Sequence, residues 1–237
     1  FVEANVIEKE LSEFGKYLAQ WQETLRTQPG SQLFSKPDSV ALISVDLIKG
    51  FTDQGPLSSP RVKAILPAAT ELFTLAHQKG VNALAFAQDT HEPDAKEFSA
   101  WPAHAVKGTI ESETSDELKA LPFFNEITIF EKNSINSAEF TGLDAWISAR
   151  PKLDTFVVMG DCTDLCVYQL AMHLLTQANA RQIERRVIVP ANAVETYDLP
   201  LDAALSTGAH PHPGDLMHAL FLNHMQLNGV EIVKEIV

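Results

Sequence analysis

Residues 39–46 read SVALISVD, a nearly continuous apolar run that ends in an acid. A run this short and apolar on both faces suits a strand covered on both sides, the form strands take in parallel sheets. The chain on its C-terminal side repeats the theme in alternation with helices. Leu66–Gln78 has helical periodicity and closes on Lys79-Gly80, then VNALAFA (81–87) and EITIF (126–130) supply two more apolar runs. A short helix over 143–150, a strand over 153–159 (LDTFVVM) and a longer helix over 164–180 follow. Residues 186–189 and 231–233 supply the last strands, with a helix over roughly 214–228 between them. Such alternation implies a three-layer α/β/α sandwich around a mostly parallel, doubly wound sheet. On the N-terminal side, Val6, Leu11, Phe14, Leu18, Trp21 and Leu25 form an amphipathic stripe that Gln28-Pro29-Gly30-Ser31 ends. The expected organisation is an N-terminal helical extension over 1–30 and one domain over 31–237.

Composition removes several function classes. With 237 residues, 45% of them hydrophobic, the chain can build a large core without a disulfide or metal to hold it. No run of ~18 apolar residues exists, which argues against a membrane span. Eighteen basic against 31 acidic residues give a net charge of −13, and no basic block offers a footprint for phosphate backbones. The first residues lack a basic region followed by an apolar stretch, so no secretory signal is visible. Two cysteines, Cys162 and Cys166, make no disulfide framework, and the cytoplasm is the expected compartment.

In open parallel sheets, ligands bind outside the carboxyl ends of the strands. The residues there are Asp46, Asp89, Glu131-Lys132 and the turn Gly160-Asp161-Cys162-Thr163-Asp164-Leu165-Cys166. An acid, an ammonium and a thiol on one edge make a nucleophile set. A free thiol has a pKa of about 8.5. A helix N-terminus at Cys166 and the charge of Lys132 would favour its thiolate, and Asp46 would take the proton and return it to a leaving amine. Each residue also has a plain alternative: a core cysteine, a capping aspartate, a solvated lysine. Asp89-Thr90-His91 and, further on, Trp101-Pro102-Ala103-His104 gather ligand types that suit zinc, manganese or iron(II). Their plain alternative is a turn cap with two surface histidines. Two long connections, 88–125 and 192–213, are of a length more often functional than idle. His210, His212, His218 and His224 lack ligand spacing and are expected at the surface or an interface.

Taken in order, ALISVDLIKGF, AQDTHEPDAKEFSAWPAHAVKGT, IFEKNSINSAEF and VVMGDCTDLCV resemble the nicotinamidase group of the isochorismatase-like cysteine hydrolases, over about residues 40–189. WPAHAVKGT is similar to the family's W-P-x-H-x-x-x-G-T stretch, and the nucleophile turn fits G-x-x-T-x-x-C-V. The resemblance implies a catalytic triad of Asp46, Lys132 and Cys166. It also implies an oxyanion hole from the backbone N–H groups of Cys162 and Cys166, after a cis peptide at Asp161–Cys162. Phe51 and Trp101 would sandwich a pyridine ring. Asp89, His91 and His104 would hold a divalent metal, zinc first with manganese or iron as alternatives, and Glu97 would be a further ligand, directly or through water. The implied reaction is hydrolysis of nicotinamide to nicotinate and ammonia through a cysteine thioester, within NAD metabolism. The implied partner is a small-molecule amide, with no nucleic acid or membrane, in a homo-oligomer. Two alternatives stand beside it: a cysteine amidohydrolase for another small amide, ureido or carbamoyl compound, and a catalytically silent scaffold. The long His-rich stretch and the N-terminal helix are additions to the family pattern.

Overall fold

The protein is described by a computed structural model over residues 2–237. In chain order its elements are α1 (Ala4–Gln22), β1 (Thr27–Gln28), α2 (Gly30–Leu33), β2 (Val40–Val45), α3 (Lys49–Thr52), α4 (Pro60–Ala64), α5 (Leu66–Gln78), β3 (Ala83–Asp89), α6 (Asp116–Lys119) and β4 (Thr128–Lys132). There follow α7 (Leu143–Ser148), β5 (Thr155–Asp161), α8 (Cys166–Arg181), β6 (Arg186–Pro190), β7 (Val194–Glu195), α9 (Leu201–Thr207), α10 (Gly214–Leu227), β8 (Glu231–Val233) and β9 (Glu235–Ile236).

The run that opened the sequence reading is the centre of the molecule. All six residues of β2 are buried, as a strand covered on both faces requires. The main sheet runs β4-β3-β2-β5-β6-β8, every pair parallel, and β7 joins β5 beyond the end of β6. Successive strands step from β2 to one side through β3 and β4, and then to the other through β5, β6 and β8. Right-handed crossovers in opposite directions put α5 on one face and α8 on the other. The order reverses between β2 and β5, where a doubly wound sheet opens its crevice.

Strand boundaries differ from the sequence reading in a consistent way. β3, β4 and β5 each begin and end two residues later than the apolar runs, so Asp89, Lys132 and Asp161 are the last residues of their strands. Apolar pattern marks where a strand enters the core. The ladder continues into polar residues that the site above it keeps from water. β2 and β5 approach very closely at this end: a Cβ on Gly160 (φ +114°) would lie 1.9 Å from the Val45 carbonyl oxygen. Only glycine fits there.

The N-terminal stripe is helical only as far as Gln22. Leu18 and Trp21 are buried, and Trp21 Nε1 donates to Gln226 Oε1 of α10 at 2.6 Å. Leu25 lies past the helix end, and β1 pairs in parallel with β9 at the opposite end of the chain. Of the residues expected to end the helix, Gln28 thus lies in a small second sheet and Gly30 and Ser31 open α2. Among the described residues, no helix is long and apolar enough to cross a membrane.

Candidate active site

Four strand ends carry the chemistry. Asp46 follows β2 with a left-handed backbone (φ +55°), a conformation aspartate tolerates better than most residues. Its N–H donates to Ala87 O at 2.9 Å, and its Oδ1 accepts the N–H of Asp89 at 2.7 Å. Lys132, 1% exposed, brings Nζ to 2.8 Å from Asp46 Oδ2 and 2.5 Å from Asp89 Oδ1. The same ammonium donates to Ser134 O at 3.2 Å and reaches Cys166 Sγ at 3.6 Å. Cys166 is the first residue of α8. Carboxylate oxygens of Asp46 and Asp89 and the Cys166 sulfur all lie within 4.8 Å of one another.

Burial sets the charges. It pushes the Asp46 carboxyl up to about 6, with the Asp89 charge adding to the rise and Lys132 opposing it. It works against the Lys132 ammonium too, but Asp46 and Asp89 outweigh it and hold that pKa well above its ordinary value. The Cys166 thiol is driven well up by burial, against the pull of Lys132. The sequence reading favoured a thiolate at this helix start. In the fold, desolvation outweighs the pull of the ammonium and favours the neutral thiol, beside a carboxylate poised to take its proton.

The turn from β5 into α8 has a cis peptide bond at Asp161–Cys162, as the resemblance implied. Cys162 O accepts from Leu165 and Val167 at 3.0 and 3.1 Å. Among the described residues, no protein acceptor takes the N–H of Cys162 or of Cys166. The Cys162 thiol is buried against Asp161 and held well above its ordinary pKa by burial and that neighbour, so it packs as a neutral group.

Asp89, His91 and His104 are all buried and bring one ligand atom each within 4.8 Å of the others. The His91 ring fixes Nδ1 on Asn133 Oδ1 at 2.9 Å, and His104 fixes Nδ1 on Pro102 O at 2.8 Å. Such partners orient an imidazole and leave Nε2 its lone pair. His91 Nε2 is buried and has no hydrogen-bond partner, while Asp89 Oδ1 stands 3.4 Å away and is occupied by Lys132. An orphaned imidazole nitrogen facing a second imidazole and a carboxylate fits a divalent cation. Glu97 Oε1 lies 3.9 Å from His91 Nε2, just outside this set.

Phe51 lies beside His104, ring centroids 5.7 Å apart. Trp101 sits edge-on to Tyr197, ring centroids 6.2 Å apart. Sequence reasoning missed three neighbours. Asn133, next to Lys132 within the EKNS stretch, was in view but carried no ligand-like signal. Phe98 packs against both His91 and His104, at 5.4 and 5.6 Å, and looked like any loop aromatic. Tyr197 had no signal at all. The His-rich stretch needs a correction: His212 is buried and paired with Asp164 at 2.7 Å, and His218 is partly buried against Thr163 at 2.9 Å. Their carboxylate and hydroxyl partners are far away in sequence, which is why composition placed them at the surface. His210 and His224 are exposed as expected.

A family model described as the isochorismatase domain matches residues 40–233. The chain belongs to the isochorismatase family. Nicotinamidase 1 of Arabidopsis thaliana is 31% identical over 220 residues, covering 86% of this chain and 89% of that protein. Among solved structures, the pyrazinamidase/nicotinamidase from Streptococcus mutans UA159 is similar with a TM-score of 0.63 at 26% identity, over 82% of this chain and all of that one (100%). The pyrazinamidase of Pyrococcus horikoshii, solved in complex with zinc, shares the fold with a TM-score of 0.63 at 23% identity, over 83% of this chain and 99% of that one. This isochorismatase-family chain is a cysteine-type amidohydrolase.

Proposed function

We propose that this isochorismatase-family chain hydrolyses nicotinamide to nicotinate and ammonia, returning the product to NAD metabolism. The observation that carries the reading is the shared carboxylate of Asp89. Its Oδ1 pairs with Lys132 of the nucleophile set and its Oδ2 faces His104 at 3.7 Å. One group thus joins a thiol that attacks amides to a ligand set for a cation, which suits a small amide carrying a second nitrogen donor. Asp89, His91 and His104 would hold a divalent cation, zinc first by its donor set, with Glu97 within reach of the same site. When bound, that cation supplies a fixed Lewis-acid partner for a ring nitrogen.

The chain's own residues carry the steps. Asp46 takes the Cys166 proton, and the thiolate adds to the carboxamide carbon. The N–H groups of Cys162 and Cys166 hold the oxyanion; donors of this kind are worth about 3–4 kcal/mol of barrier each. Lys132 keeps Asp46 and Asp89 ionised and in place. As the C–N bond breaks, Asp46 gives its proton to the departing ammonia and leaves a thioester. Water then adds with Asp46 as base, nicotinate leaves, and the thiol is restored. Phe51 and Trp101 bound the ring on the site's aromatic side.

Ammonia release from nicotinamide and from ureido acids, before and after chelation, tests this reading. Chelator-sensitive turnover of nicotinamide supports it. Metal-independent turnover of a ureido acid would replace it with the carbamoyl-type alternative, and no turnover of any amide with the silent scaffold.

A further inference from the structure

Asp164, in the turn before Cys166, is buried and does no work in the reaction above. Its Oδ1 accepts Thr196 Oγ1 at 2.6 Å, and its Oδ2 lies 2.7 Å from His212 Nε2. The other ring nitrogen of His212, Nδ1, lies 2.8 Å from Tyr197 O. A ring with an acceptor at each nitrogen is suited to the doubly protonated, positively charged form, which donates from both. Burial opposes that charge, and Asp164 overcomes it and raises the pKa. The His212 ring stacks flat on Tyr197, centroids 3.8 Å apart and planes 13° from parallel.

The backbone repeats the restraint. Leu199 and His212 exchange N–H bonds at 2.8 and 2.9 Å, and Gly214, at the start of α10, donates its N–H to Asp198 Oδ1 at 2.8 Å. A Cβ on Gly214 would lie 2.7 Å from Tyr197 O, so the helix end abuts this residue directly. These bonds fix the backbone of Tyr197 and the His212 ring that stacks on it, while the Tyr197 hydroxyl takes part in none of them. The Tyr197 ring is half-buried, its backbone serves the Cys162 thiol, and its other neighbour is Trp101, edge-on at 6.2 Å. It stands between the oxyanion turn and the aromatic expected to clamp the substrate.

We propose that Tyr197 is a substrate-contact residue, the wall of the ring pocket facing Trp101, and that Asp164 and His212 are positioning residues that hold it there. The inference rests on the ring-amide reading above. It gives the long 192–213 connection a role in substrate choice, since an acyclic amide has no face for Tyr197 to cover.

The test is steady-state kinetics on nicotinamide with the full chain, alongside thermal melts. Tyr197→Ala and His212→Gln should each raise KM about tenfold with kcat within about threefold, the loss of one aromatic wall. Tyr197→Phe should keep the parent KM, because the hydroxyl is unused. Tyr197→Leu repeats the measurement if the alanine variant does not fold. An unchanged KM in a folded Tyr197 variant, or a lower melting temperature with KM unmoved in His212→Gln, overturns the inference alone. A parent enzyme that releases no ammonia from nicotinamide overturns it together with the reading it rests on.

Discussion

The backbone N–H of Asp89 donates to Asp46 Oδ1 at 2.7 Å. The acid assigned to proton transfer and the acid assigned to the cation are therefore one hydrogen bond apart, and Lys132 is clamped between their remaining oxygens. Disturbing either side of this cluster is felt by the other.

Cys166→Ala removes the nucleophile while leaving a small side chain at the helix start. Turnover should fall by about 10³-fold or more, since members of a nucleophile set act as a unit. Circular dichroism and the melting temperature should stay near the parent values. Retained ammonia release in this variant would sink the proposed chemistry.

Lys132→Met leaves two buried carboxylates facing each other without their counter-charge. Breaking a buried ion pair by removing one partner costs about 3–5 kcal/mol. Urea denaturation should register that loss, and activity should vanish even in the folded fraction.

His91→Ala and His104→Ala should lower the metal bound per chain, read by elemental analysis after dialysis, without loss of fold. Asp89→Asn should do more, because it also loosens Lys132 and Asp46. Equal metal content in all three variants would reject the ligand set.

The Asp164–His212 pair predicts a pH window for stability. The folded pKa of His212 is raised, so its contribution is fully present below its unfolded value of about 6.5 and is lost as pH rises through the folded value. The Asp164 carboxyl is lowered: burial opposes the shift, and His212 with Thr196 outweighs it. Its contribution is present above about 3.9 and lost as pH falls through the folded value. The difference in melting temperature between the parent and His212→Gln should be largest between these limits and shrink above pH 6.5. Asp198 also faces His212 and acts in the same direction.

Gly160→Ala should fail to fold or lose more than about 4 kcal/mol, a size reserved for forced clashes and strained backbone. Soluble expression and a denaturation curve decide it. A near-normal curve would mean that β2 and β5 can separate without consequence.

The sheet was legible because each strand announces itself as an apolar run, and the site because its residues follow those runs directly. Asp46, Lys132 and Cys166 needed only the parallel arrangement to meet. What was not legible depended on partners distant in sequence or on solvation. His212 looked like a surface residue because nothing near it in the chain hints at Asp164. The upward push of burial on the Cys166 thiol was not legible either, because charges can be counted along a sequence and burial cannot. The strand ends ran two residues long because Asp89 and Lys132 are polar in type and buried in fact.

The pairing of Thr27–Gln28 with Glu235–Ile236 has a consequence for how the protein comes into being. Synthesis runs from the N-terminal side, so Thr27–Gln28 is made well before Glu235–Ile236, and Trp21 must likewise wait for Gln226, 205 residues further on. Contacts this remote in sequence form slowly. Leu18 and Trp21, the part of the first helix that the fold buries, therefore stay uncovered until α10 has been made, a period in which a chaperone has something to hold.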